Sequence, residues 1–138
     1  MNVLLVYPKY PNTFWSFKHI LGYISKKAAF SPLGLLTVAS MLPGEWNKKL
    51  IDINVRELKE KDINWADMVF ISAMIAQKAS VREIIARCKK LGKKIVVGGP
   101  LFTTTYPEFK EVDHFVLNEA EITLPLFLKD MEKGKLKR

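Results

Sequence analysis

The sequence predicts a single α/β domain: an open, doubly wound sheet of five parallel strands in the order 2-1-3-4-5, with helices on both faces. Three observations carry that expectation. Short apolar runs alternate along the chain with segments whose apolar residues recur at helical spacing, the signature of repeated strand and helix units. The first run, Asn2 to Tyr7, is apolar from Val3 onward, as a strand covered on both faces must be. The length of 138 residues, 49% hydrophobic and 26% charged, suffices for one core and not for two.

After the first strand, Pro8 to Phe30 is rich in aromatics and loop formers without a clean period, and reads as a long excursion of the kind that often carries function. Ser31 and Pro32 then supply an N-cap and a first-turn proline, and Leu35, Val38, Ala39 and Leu42 follow at helical spacing before Pro43-Gly44. Lys49 to Asn54 reads as the second strand and Asp67 to Ala73 as the third, with a short helical or irregular stretch from Val55 to Trp65 between them. Val81, Ile84, Ile85, Cys88 and Leu91 mark one face of a helix closed by Gly92. The fourth strand, Lys94 to Val97, runs into Gly98-Gly99 and is stopped by Pro100. A loop holding TTTYPEF leads to a fifth strand, Asp113 to Leu117. Leu124, Phe127, Leu128 and Met131 form a last helix ending at Gly134.

The net charge of +8 raises nucleic acid or another anionic partner as a possibility. The lysines are scattered, however, in pairs such as Lys48-Lys49, Lys89-Lys90 and Lys93-Lys94, as solvated helix and strand ends would have them. The single cysteine, Cys88, excludes an internal disulfide and any cysteine cluster within this chain, and sits on an apolar helical stripe as a small buried hydrophobe. No apolar run approaches the roughly 20 residues that span a bilayer. A soluble, cytoplasmic protein is expected, with a domain over residues 1–132 and a basic tail or the start of a linker over 133–138.

In such a sheet, ligands settle outside the carboxyl ends of the strands, beside the switch in strand order. The residues that end strands are Pro8, Asn54, Ser72 with Ala73 and Met74, Gly98-Gly99 followed by Pro100, and Asn118-Glu119, and they are expected to share one rim. Of the histidines, His19 falls in the aromatic loop and His114 at the start of the fifth strand, away from that rim. Both read as surface residues, with the loop's nearness to a ligand kept open for His19.

Ser72-Ala73-Met74 follows the third strand, and Gly98 comes 26 residues after Ser72. This order and spacing resembles the S-x-L and G-G elements of the cobalamin-binding domains of the methionine synthase and methylmalonyl-CoA mutase class, with Met74 where leucine is usual. The stretches SPLGLLTVASMLP, INWADMVFISAM, VVGGPLFTT and NEAEITLPLFLKDM extend the likeness over nearly the whole chain. They are similar to the N-terminal domain of cobalamin-dependent radical S-adenosylmethionine enzymes, whose usual forms are PPLGLL, WADLVGIS, GGPHPT and GEAE.

The resemblance implies a flavodoxin-like, Rossmann-like fold in which the nucleotide tail of a corrinoid enters a cleft beside the central strands. It places the serine position against the dimethylbenzimidazole and lets the tail pass close to the backbone at the paired glycines. It implies that Ser72, Met74, Gly98, Gly99 and Pro100 form that cleft. Glu119 either approaches the ribose or amide groups of the cofactor or, with Glu121, merely favours the positive end of the last helix.

Two departures matter. The D-x-H-x-x-G motif, whose histidine ligates cobalt from below, is matched after the second strand only by Asp52, Asn54 and Glu57. An asparagine amide is a poor cobalt donor, so the cofactor is expected base-off with no histidine ligand. The C-x-x-x-C-x-x-C motif of the radical domain is absent, so a 4Fe-4S cluster and S-adenosylmethionine would belong to another domain of a longer chain.

The reading is a cobalamin-binding module of a methyltransferase or related enzyme, binding without catalysing by itself. Two alternatives stand beside it. One is a flavodoxin-like or receiver-like ligand or interaction domain, although the first strand ends in Tyr7-Pro8-Lys9 rather than acidic residues. The other is a basic nucleic-acid module resting on Tyr10, Phe14, Trp15 and Phe17 among lysines.

Overall fold

The apolar runs become strands β1 (Asn2–Tyr7), β2 (Asn47–Asp52), β3 (Met68–Ser72), β4 (Lys94–Gly98) and β5 (His114–Val116), all parallel and ordered β2-β1-β3-β4-β5. The computed structural model describes residues 1–11 and 31–136. The greater part of the aromatic excursion, with His19, Phe14, Trp15 and Phe17, lies outside the described residues.

Successive side chains of a strand point to opposite faces, and each face of this sheet is apolar. Leu4 and Val6 of β1, Val69 and Ile71 of β3, and Ile95 and Val97 of β4 face one layer, made by α2 (Glu60–Trp65), α3 (Lys78–Lys90) and α4 (Pro100–Thr105). Val3, Leu5 and Tyr7, Met68 and Phe70, and Val96 face the other, made by α1 (Leu33–Met41) and α5 (Ala120–Glu132). The three central strands are therefore buried on both sides. Each of their aliphatic side chains contributes about 1.5–3 kcal/mol by leaving water.

The stripe expected on α3 is the one buried, through Val81, Ile84, Ile85 and Cys88, and Gly92 closes the helix at φ +66°. Gly134, at φ +63°, closes α5. Burial pushes the Cys88 thiol up to about 11, so it stays protonated and packs as a hydrophobe.

Four expectations need correction. Ser31 is not the cap of α1: Pro32 holds that position without a side-chain bond, and the Ser31 carbonyl accepts the Leu33 N–H. The second strand ends at Asp52, because its carbonyl takes the N–H groups of both Val55 and Arg56 and turns the chain before Asn54. TTTYPEF is not a loop. Gly99 at φ +90° turns the chain so that Pro100 opens α4, the one helical position that needs no N–H, and Tyr106–Glu108 adds a 3-10 turn. The hydroxyls of Thr104 and Thr105 donate to the carbonyls of Pro100 and Leu101, which turns poor helix formers inward on their own helix. Finally, His114 is half-buried, its ring 5.6 Å from that of Phe127, rather than a surface residue.

Asp62 is the buried carboxylate of this fold. Its side chain is 5% exposed and pairs with Arg56 at 3.2 Å and Lys49 at 3.5 Å, while one oxygen accepts the Lys59 N–H. Burial alone would raise its pKa, but the Arg56 and Lys59 hydrogen bonds outweigh it and hold the carboxyl below its ordinary value of 3.8. A carboxyl depressed in the folded state stabilises fully above 3.8 and loses that contribution as pH falls through the folded value. Asp62→Asn is therefore expected to cost about 1–3 kcal/mol at neutral pH, from partners left unsatisfied. The cost should shrink below pH ~3.8. Urea unfolding at pH 7 and at pH 3 checks it, and an equal cost at both would exclude the charge as the cause.

Candidate functional site

All five strands deliver their carboxyl ends to one edge, and there a cleft of about 550 Å³ opens between α1 and α5. Its floor is Phe70, Val96 and Val116, its walls include Leu35 and Val38 of α1 and Leu124 of α5, and its rim carries Ser72, Gly98, Gly99, Pro100, Asn118 and Glu119. An apolar pocket with a few polar groups at its mouth is the form of a small-molecule site.

The glycine pair owes its identity first to the fold. A Cβ on Gly98 would stand 2.7 Å from the Val116 carbonyl oxygen of β5. At Gly99 φ is +90° and ψ 176°, a conformation only glycine adopts readily, and a Cβ would meet Ser72 Oγ at 2.8 Å. Beneath them Ala73 is buried: its N–H donates to the Gly98 carbonyl and its carbonyl accepts the Leu101 N–H. Ala73 thus locks β3, β4 and α4 together below the rim. The result at the cleft is bare backbone beside the Ser72 hydroxyl, which has no hydrogen-bond partner among the described residues.

Across the cleft, Asn118 adopts φ +61° and its N–H donates to Thr103 Oγ1 at 3.1 Å. The next residue, Glu119, caps α5 with its backbone carbonyl, which takes the N–H groups of Ile122 and Thr123. Its carboxylate makes no capping bond and stands exposed at the rim.

Four of the rim residues nominated from the sequence do not line this cleft: Ala73, buried beneath it, and Pro8, Asn54 and Met74. The Pro8 carbonyl accepts hydrogen bonds from Asn54 Nδ2 and from Gln77 Nε2, so the exits of β2, β1 and β3 meet at one oxygen. Asn54 is occupied throughout: its second amide hydrogen goes to Asp52 Oδ1 at 2.8 Å and its oxygen accepts the Tyr10 N–H at 2.9 Å. Met74 is 45% exposed beyond the cleft, its N–H donating to Gln77 Oε1. Nearby, burial and then the hydrogen bond shared with Tyr10 push the Tyr7 phenol well above its ordinary range, so it remains a neutral partner of Tyr10.

Residues the sequence reading passed over are Gln77, Thr103, Ile75 and Gly34. Gln77 had a signal: it lies three positions after Met74, the spacing at which Gln reaches back to a helix's first N–H. Gly34 and Ile75 line the cleft with no motif to mark them. Among the described residues no three acidic, histidine or cysteine side chains converge as a metal site. None of the described helices is long and apolar enough to cross a membrane.

Fold and cleft together define a ligand-binding flavodoxin-like α/β domain, its site at the carboxyl edge of a parallel sheet. The family model of the B12-binding domain matches residues 24–128, and the chain belongs to that family. An uncharacterized methyltransferase of Synechocystis sp. is 45% identical over 98% of this chain and 26% of its own length. The hopanoid C-2 methylase of Rhodopseudomonas palustris is 35% identical over 78% of the chain and 21% of its own. An uncharacterized protein of Methanocaldococcus jannaschii is 35% identical over 60% and 17%. The chain thus spans about a quarter or less of these relatives. No solved structure matches significantly.

Proposed function

We propose that this B12-binding domain seats a cobalamin base-off, with the nucleotide tail in the cleft and no histidine below the cobalt, as one domain of a longer methyltransferase of the radical S-adenosylmethionine type. The observation that carries the reading is the cleft itself, largely apolar between α1 and α5 and open at the edge where the corrin would lie. The residues present suit a nucleotide tail. The floor of Phe70, Val96 and Val116 accepts an aromatic base out of water, and the backbone at Gly98-Gly99 offers no side chain to collide with it. The free Ser72 hydroxyl is placed to hydrogen-bond a ring nitrogen or a phosphate oxygen.

Support for the absence of a histidine donor comes from two nitrogen-bearing groups among the described residues. His114 stands at the amino end of β5, against Phe127, and Asn54 has its amide engaged on every side. Bound cobalamin supplies a cobalt that accepts and donates a methyl group. The chain's own part is to hold the tail, leave the cobalt without a strong lower donor and exclude water from the cleft. A cluster and S-adenosylmethionine would be held outside residues 1–132, past a linker beginning near Lys133. Leu33 and Leu36 on α1 and Ile122 and Leu126 on α5 are exposed on the two helices that wall the cleft and suit contact with such a domain.

Against the nucleic-acid alternative, Lys78 and Arg82 pair with Glu108, and Lys89 with Asp113, which takes these three cations out of any basic stripe.

The test is to load the protein with hydroxocobalamin, desalt it and record visible absorbance, then reduce to Co(II) and take the electron paramagnetic resonance spectrum. Retained corrin bands and unsplit high-field cobalt lines are expected. Eluate without corrin would end the cobalamin reading. Lines split into triplets would show an axial nitrogen, and their loss in His19→Ala would assign it to His19.

A further inference from the structure

Gln77 is one of the two buried polar side chains among the described residues and, unlike Asp62, it has no charged partner. It lies at the end of the 3-10 turn Ile75–Gln77, is 1% exposed, and its amide faces two ways. Nε2 donates to the Pro8 carbonyl at the exit of β1, across 69 residues of sequence, while Oε1 accepts the Met74 N–H at the exit of β3, 2.8 Å away. Strands β1 and β3 are neighbours, and between them the strand order reverses. Their loops diverge at such a point and leave a crevice with no ladder to hold its two sides.

One side carries Met74 and Ile75, both exposed at the carboxyl edge, and Ile75 also lines the cleft. The other side carries Pro8, whose carbonyl is fixed from β2 by Asn54 as well. An amide suits this place because its nitrogen donates while its oxygen accepts, so one side chain serves both partners at once. Leucine of similar volume would leave the Met74 N–H without its acceptor and the Pro8 carbonyl with one donor of two.

We propose that Gln77 is a positioning residue for the corrinoid: by tying the exits of β1 and β3 it sets the height and tilt of the Met74–Ile75 shelf on which the corrin ring rests, while never touching the ring. The inference rests on the cobalamin reading. It adds a determinant that does not itself line the tail cleft and acts through the Met74–Ile75 seat of the ring.

The experiment compares the 138-residue protein with Gln77→Leu, Gln77→Glu and, as a control of comparable thermal cost elsewhere in the fold, Asp62→Asn. Each is titrated with hydroxocobalamin at a temperature where far-ultraviolet circular dichroism shows it folded, and the induced visible circular dichroism of the corrin is recorded at saturation. Gln77→Leu is expected to weaken binding roughly 10-fold, the scale of one unmade buried hydrogen bond, and to change the induced spectrum. Gln77→Glu keeps an acceptor for Met74 but no donor for Pro8, so it should weaken binding as well and supplies the comparison if the leucine variant does not fold. Asp62→Asn should leave affinity and spectrum unaltered.

Wild-type affinity and spectrum in a folded Gln77 variant would overturn the proposal while leaving the cobalamin reading intact. So would equal changes in Asp62→Asn, which would reduce Gln77 to a stability residue. Failure of the unsubstituted protein to bind any corrinoid would instead remove the cobalamin reading, and this inference with it.

Discussion

Gly34→Trp is expected to leave the fold standing and abolish cobalamin retention. Gly34 is the second residue of α1 and lines the cleft, yet a Cβ built on it meets no atom of the described residues within 4 Å. The backbone there tolerates a side chain, and replacing a helical glycine removes an entropic cost of roughly 0.5–1 kcal/mol, so the urea midpoint should hold or rise. An indole at the same place occupies the space the nucleotide tail would need. Affinity should fall at least about 100-fold, equivalent to ~2.7 kcal/mol, while Gly34→Ala binds nearly as the unsubstituted protein does. Desalting after loading, with absorbance of the eluate, gives the answer. Full retention by a stable Gly34→Trp would mean that the tail does not enter between α1 and α5.

Gly99→Ala should have the opposite character: a loss of about 3 kcal/mol or outright unfolding, with any loss of binding secondary to it. Two costs combine. At φ +90° and ψ 176° an L-residue is strained, and the added methyl would lie 2.8 Å from Ser72 Oγ and 3.1 Å and 3.2 Å from the Ala73 carbonyl oxygen and nitrogen. The serine hydroxyl can rotate away, but Ala73 cannot, since its N–H and carbonyl are both committed to neighbouring elements. Chemical denaturation without ligand decides it, and an unchanged midpoint would show that the backbone at Gly99 adapts. Substituting this glycine with valine, an attractive probe of tail passage when the pair is read as motif alone, therefore reports on the fold. Gly34 is the position at which occlusion and stability separate.

Gln77 and the glycines mark where a linear reading stops. The alternation of apolar runs and helical stripes is a local property, so the five parallel strands, the buried face of α3 and its closure at Gly92 were all legible from residues 1–138 before any contact was known. The rim position of Ser72, Gly98, Gly99 and Asn118 followed too, because strands that all run parallel bring their carboxyl ends to one edge. Other features depended on what lies opposite. That Gly98 faces the carbonyl of Val116, that Pro8 and Asn54 are consumed in holding strand exits together, and that TTTYPEF coils into a helix behind a positive-φ glycine are facts of packing between segments far apart in the chain. Periodicity tells which face of an element avoids water. Only the folded chain decides which atoms then meet there, because a hydrogen bond or a steric limit belongs to a pair of residues, and a motif records at most one of them.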